Sequence, residues 1–165
     1  MIPRARRQRP IGVILALNNA PARPFLGLML FAPLPDDWQS RRARVLVVDD
    51  NAPLLDSFAR LLKANAFSVA TACNGLHALE LMRQQAFDVV LADVSMPVLN
   101  GLGMLRGIRE WDQNLPVVLM TGNPCEEGAF QARRFGAFDY LCKPVPPREV
   151  VSKLRLACRA PLGED

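Results

Sequence analysis

A small set of polar residues stands where apolar runs stop. Asp49 and Asp50 follow Val45–Val48, Asp93 follows Val89–Ala92, and Thr121 and Gly122 follow Val117–Met120. Lys143 comes after the short run Phe138–Leu141, with Cys142 between them. Three carboxylates gathered in one place repel one another unless a cation neutralises them. An all-oxygen set suits a hard ion, and Mg²⁺ keeping several of its waters is the natural choice. A lysine and a threonine change what such a cluster can hold. The ammonium supplies a compact positive charge, and the hydroxyl and nearby backbone N–H groups supply donors. With Mg²⁺ they would cradle a dianionic phosphoryl group. One carboxylate is then left to act as a nucleophile.

These residues can meet only if the intervening segments fold to bring the ends of the apolar runs together. Val45–Val48, Val89–Ala92 and Val117–Met120 are continuous β-type runs of the kind buried on both faces of a parallel sheet. Phe67–Ala72 reads as a second strand and Phe138–Leu141 as a short fifth. Helical spacing of apolar residues predicts helices over Pro53–Ala64, Leu76–Gln84, Leu102–Glu110, Glu126–Phe135 and Pro147–Arg159, with Asn74-Gly75 as a turn. Five β–α units predict an α/β fold, a doubly wound five-stranded parallel sheet with right-handed crossovers and helices on both faces. A ligand site in such a sheet lies beyond the carboxyl ends of the strands, where the strand order reverses.

Residues 44–158 resemble the receiver domain of bacterial two-component response regulators, of the stand-alone, chemotaxis-regulator-like kind. The resemblance rests on Val47-Val48-Asp49-Asp50-Asn51, on Asp93-Val94-Ser95-Met96-Pro97 with Asn100-Gly101, on Met120-Thr121-Gly122, and on Gly136 through Pro144. It implies the flavodoxin-like form of the sheet, (βα)5. It also implies that Asp93 is the phosphoacceptor, attacking the phosphorus of a phosphohistidine. Asp50 would bind Mg²⁺ directly, Asp49 mainly through water, and Asp93 and the backbone carbonyl of Ser95 would complete the metal site.

Lys143 would pair with the phosphoryl oxygens, ahead of a cis peptide bond to Pro144. Thr121, Gly122 and Ser95 would contact the phosphoryl group, and a bulky residue at Gly122 would close the site. The switch would couple Thr121 to Tyr140. The implied partners are a sensor histidine kinase or phosphotransfer protein, and a downstream protein target reached through the fourth helix, fifth strand and fifth helix, including Phe130, Arg134 and Phe138. Homodimerisation on phosphorylation fits the same family. The domain would process its own phosphoryl group and no separate substrate. Ser95 and Asn123 stand where variation tunes the lifetime of that group. A hydrolase reading is disfavoured because Ser95, not a second carboxylate, stands two residues after Asp93.

Charge separates the chain into two parts. Of a net +4, residues 1–42 hold seven arginines against Asp36 and Asp37, leaving residues 43–165 close to neutral. The N-terminal stretch also carries Pro3, Pro10, Pro21, Pro24, Pro33 and Pro35. It reads as a basic, Pro-rich extension, either a flexible tail or the product of a start codon placed too early. Residues 43–160 form the receiver domain, and 161–165 a short tail. The apolar runs Ile11–Leu17 and Phe25–Ala32 are each shorter than the ~18 residues of a spanning helix, so no membrane span is expected.

The arginines come without aromatic interleaving or a helix-turn-helix pattern, which argues against nucleic acid as a partner of this chain. Too few residues follow Arg159 for an output domain, so a stand-alone receiver is expected. The alternative is the receiver part of a longer regulator with a DNA-binding output domain. Cys73, Cys125, Cys142 and Cys158 lack metal-ligand spacing and read as free thiols in the cytoplasm. His77, without a second imidazole or a nearby cysteine to share a metal, reads as a surface or half-buried helical residue without chemistry.

Overall fold

A computed structural model describes residues 42–159; the extension before residue 42 and the tail after residue 159 lie outside the described residues. Ten elements alternate without exception. They are β1 (Arg44–Val48), α1 (Ala52–Ala64), β2 (Ser68–Ala72), α2 (Gly75–Gln84), β3 (Val89–Asp93), α3 (Gly101–Arg109), β4 (Val117–Thr121), α4 (Glu126–Arg134), β5 (Asp139–Cys142) and α5 (Pro147–Arg159). The strands form one parallel sheet in the order β2-β1-β3-β4-β5. Strand order therefore reverses between β1 and β3, and Asp49 and Asp93 stand at that crevice.

The apolar runs are continuous because alternate residues feed two separate cores. Leu46, Val48, Val90, Ala92, Val117 and Leu119 pack with Ala78, Met82, Met104, Leu105, Ile108 and Ala132, joining the sheet to α2, α3 and α4. Val45, Val47, Val89, Leu91, Val118 and Met120 pack with Leu55, Leu62, Val150, Val151, Leu154 and Ala157, joining it to α1 and α5. Each fully buried leucine or valine contributes about 1.5–3 kcal/mol of apolar transfer. Burial is uneven among the helices. α5 buries four side chains and α4 only Ala132. No helix among the described residues is long and apolar enough to cross a membrane.

Several boundaries differ from the sequence expectation, and for one recurring reason. The side chains of Asn51, Asn74 and Asn100 each cap a helix, accepting from the backbone N–H groups of Leu54, His77 and Gly103. Such a cap contributes about 1 kcal/mol. The helices accordingly start at Ala52, Gly75 and Gly101, and Asn74-Gly75 opens α2 instead of forming a turn. Strand pairing likewise carries β3 and β4 through Asp93 and Thr121, one residue beyond the apolar runs. Phe67 and Phe138 fall just outside β2 and β5.

Arg109 ties two connections together at the opposite end of the sheet. Its guanidinium donates to the carbonyls of Asp112, Leu115 and Gly136 at 2.8–2.9 Å. Gly136 takes a φ of 78°, a left-handed conformation that suits glycine. Val98, in the loop between β3 and α3, also has a positive φ of 68° and is largely exposed.

Candidate functional site

Asp49, Asp93 and Thr121 are the buried polar or charged side chains among the described residues, and all three lie at the carboxyl ends of strands. Asp49 continues β1, its N–H bonded to the carbonyl of Ala72 at 3.2 Å. Asp93 is the last residue of β3 and Thr121 the last of β4. Asp50 is exposed at the mouth of the site. The sheet register alone brings these groups side by side.

Every oxygen of the two buried carboxylates is engaged. Asp49 Oδ1 accepts from the N–H of Asn51 at 2.9 Å, and Asp93 Oδ2 from the N–H of Ser95 at 2.7 Å. The remaining oxygens converge on one cation. Lys143 Nζ lies 2.9 Å from Asp49 Oδ2 and 2.6 Å from Asp93 Oδ1. Burial works against the lysine's charge, but its hydrogen bonds to Asp93 and Asp49, and the charges of both, outweigh it. The ammonium is held above the ordinary lysine pKa. The backbone N–H of Lys143 donates to the carbonyl of Thr121 at 2.7 Å, fastening the end of β5 to the end of β4. The peptide bond from Lys143 to Pro144 is cis.

Thr121 Oγ1 accepts from the N–H of Asn123 at 3.1 Å, which leaves the hydroxyl proton free to be given to another acceptor. A Cβ built on Gly122 would meet nothing within 4 Å, so the space beside Thr121 is open. Tyr140 is half-buried on β5, opposite Leu119 in the register, while Thr121 is opposite Cys142. Thr121 and Tyr140 are therefore diagonal neighbours on the face that carries α4. The tyrosine hydroxyl lies 2.9 Å from where a Cβ on Gly128 of α4 would stand.

The structure brings Asp49, Asp93 and Lys143 into direct contact and places Asp50, Ser95, Thr121 and Gly122 around them at the same edge. It divides the expected output face. Phe130 and Arg134 line a groove against α3 with Val98 and Arg106, whereas Phe138 lines a separate groove with Cys125, Arg133 and Tyr140. Gly101 carries a role that its motif alone did not show. A Cβ there would lie 2.3 Å from the carbonyl oxygen of Asp93, so only glycine lets α3 start so close to the strand end. His77 is half-buried in α2, as expected, but the reading that no cysteine stands near it needs correction. Its Nδ1 lies 3.6 Å from Cys73 Sγ, because the Asn74 cap turns the chain so that residues four apart face one another. The four-residue spacing was the signal.

Residues 45–155 match the family model of the response regulator receiver domain. The chain is 34% identical over 116 residues to the transcriptional regulatory protein PrrA of Mycobacterium tuberculosis, covering 70% of this chain and 50% of PrrA. It spans about half the length, or less, of the curated relatives it matches. Among solved structures, a response regulator receiver domain protein from Clostridium thermocellum superposes with a TM-score of 0.67 at 31% identity, over 70% of this chain and 94% of that one. The chemotaxis protein CheY4 of Vibrio cholerae gives a TM-score of 0.68 at 28% identity, over 71% and 99%. The flavodoxin-like (βα)5 sheet, its strand order and the family match agree, and the chain belongs to the receiver domain family of two-component response regulators.

Proposed function

We propose that Asp93 accepts a phosphoryl group from the phosphohistidine of a sensor histidine kinase or phosphotransfer protein, and that this switches a protein-interaction surface. The single observation that carries the reading is the Lys143 ammonium bridging Asp49 and Asp93 at the reversal of strand order. A carboxylate oxygen of Asp93 forms the new bond to phosphorus, the P–N bond of the phosphohistidine breaks, and its electron pair leaves with the imidazole.

The residues present fit a Mg²⁺ ion. Asp49, Asp50, Asp93 and the backbone carbonyl of Ser95 offer only oxygen, as a hard ion requires. Water would fill the positions these groups leave open, as suits Mg²⁺. When bound, the ion supplies positive charge against the phosphoryl oxygens. Lys143 supplies a second positive charge from just past the end of β5, transferring its ammonium from the carboxylates to a phosphoryl oxygen.

Thr121 donates a hydrogen bond from its hydroxyl to another phosphoryl oxygen and so moves toward Asp93. Tyr140, its diagonal neighbour, follows into the space released, and the surface of α4, β5 and α5 changes for a downstream protein or a second copy. Ser95 and Asn123 flank the group and set how readily water reaches it. Acting on its own acyl phosphate, the domain turns over no separate substrate. This reading assigns it to the cytoplasm, where the kinase's phosphohistidine is presented. The naming of PrrA as a transcriptional regulator favours a second reading of the output alone, in which the same receiver controls a DNA-binding domain of a longer protein.

Incubation with acetyl phosphate and Mg²⁺ tests the chemistry. Intact-mass measurement should show one added phosphoryl group on the native chain and none on Asp93→Ala. Uptake that survives in the variant overturns the assignment.

A further inference from the structure

Outside the carboxylate pocket, Cys73 and His77 bring a nucleophile and a base together. Cys73 is exposed and follows Ala72, the last residue of β2; His77 is half-buried in the first turn of α2. Cys73 Sγ lies 3.6 Å from His77 Nδ1. The backbone N–H of Cys73 donates to the same Nδ1 at 3.4 Å. Accepting that bond corresponds to the tautomer with the ring proton on Nε2 and the lone pair on Nδ1. The thiol proton therefore has a basic nitrogen within reach.

The sulfur is also provided for once the proton has left. Asn74 Nδ2 lies 3.6 Å from Sγ as a donor, while its Oδ1 accepts the N–H of His77 at 2.9 Å. One carboxamide thus fixes the imidazole on the helix and donates to the sulfur. The N-terminal end of the ten-residue α2 favours negative charge at the same place.

We propose that Cys73 is a thiol modification site that exchanges with low-molecular-weight disulfides, with His77 as its base. Nδ1 takes the proton from Sγ, and the thiolate attacks one sulfur of the disulfide. A new S–S bond to Cys73 forms as the old one breaks, and the departing thiolate takes the proton back from the imidazolium. Atoms and electrons balance with the disulfide as the only co-reactant. Ala72 pairs with Val48 in the register, so Cys73 follows β2 at the sheet edge where the strands end, outside the carboxylate pocket.

The other cysteines are internal references. Cys125 and Cys142 are exposed but lack an imidazole partner, His77 being the only histidine. The Cys158 thiol, pushed up to about 12 by burial with Asp88 adding to it, stays protonated and unreactive.

The full chain is treated at neutral pH with limiting 2,2′-dithiodipyridine, and the adducts are followed by peptide mass mapping. Cys73 should be modified ahead of Cys142. His77→Ala and His77→Gln should each slow Cys73 about tenfold or more, as loss of a general base does, while Cys125 and Cys142 keep their rates. Circular dichroism confirms that both variants are folded. The proposal is overturned if Cys73 reacts no faster than Cys142, or if its rate survives in both His77 variants.

Discussion

Lys143 Nζ lies 2.6 Å from Asp93 Oδ1 and 2.9 Å from Asp49 Oδ2, so one side chain just past β5 neutralises the charges that end β1 and β3. Lys143→Met leaves two buried carboxylates facing each other without a cation. The expected loss of stability is roughly 1–3 kcal/mol, less than for a fully enclosed pair because part of the lysine is open to solvent. The pH dependence has a definite sign. The lysine's pKa is higher folded than unfolded, so its contribution is complete below the ordinary lysine value and disappears as pH rises through the folded one. Urea titrations should therefore show a constant gap between native and variant from neutral pH to about 10, narrowing above it. A gap already narrowing near neutrality contradicts the bridge.

Gly101 and Gly122 flank the same pocket under opposite constraints. A Cβ on Gly101 would collide with the backbone carbonyl of Asp93 at 2.3 Å, and backbone cannot swing aside as a side-chain tip can. Gly101→Ala should cost about 2–3 kcal/mol in thermal melting. Gly122→Ala meets open space and should stay within about 0.5 kcal/mol of the native chain. Equal effects in the two variants would refute this geometry.

Arg109 satisfies three carbonyls from two separate connections, which a single ammonium on a flexible stem cannot span. Arg109→Lys should therefore lower stability by about 1–3 kcal/mol through the carbonyls left without donors. Hydrogen exchange should quicken first around residues 112–117 and 136. Protection unchanged there would mean that the clamp contributes little.

Tyr140 is the only tyrosine in the chain, so its ring gives an unambiguous signal. Gly128→Ala places a methyl group 2.9 Å from the present hydroxyl position and must displace the tip of the ring. The tip can yield, and alanine adds up to about 1 kcal/mol of helix propensity to α4, so the melting temperature should not fall. The ring resonances should shift in an NMR spectrum selectively labelled at tyrosine. A ring signal that stays put would separate Tyr140 from α4.

The strands were legible because Val45–Val48, Val89–Ala92 and Val117–Met120 are apolar at every position, a pattern that only a sheet covered on both faces needs. Legible too was the placement of Asp49, Asp93 and Thr121, each the first polar residue past such a run, and of Lys143, two residues past the strand segment Phe138–Leu141. The helix starts were less so. Asn74-Gly75 has the composition of a turn, and only the hydrogen bond from the N–H of His77 distinguishes a cap from one. Arg109 was illegible in principle, because one of its acceptors, Gly136, is remote in sequence and nothing local marks the pair. The Cys73–His77 contact was written in the spacing, yet it depends on which way the chain turns after β2.

α4 has one fully buried side chain, Ala132, with Phe135 packed against the core just after it, where α5 has four. Burying a single methyl contributes on the order of 1 kcal/mol. Lifting α5 would expose several times as much. Of the two faces of the sheet, the one covered by α1 and α5 is therefore the more firmly closed at α5, and the other the more lightly covered at α4.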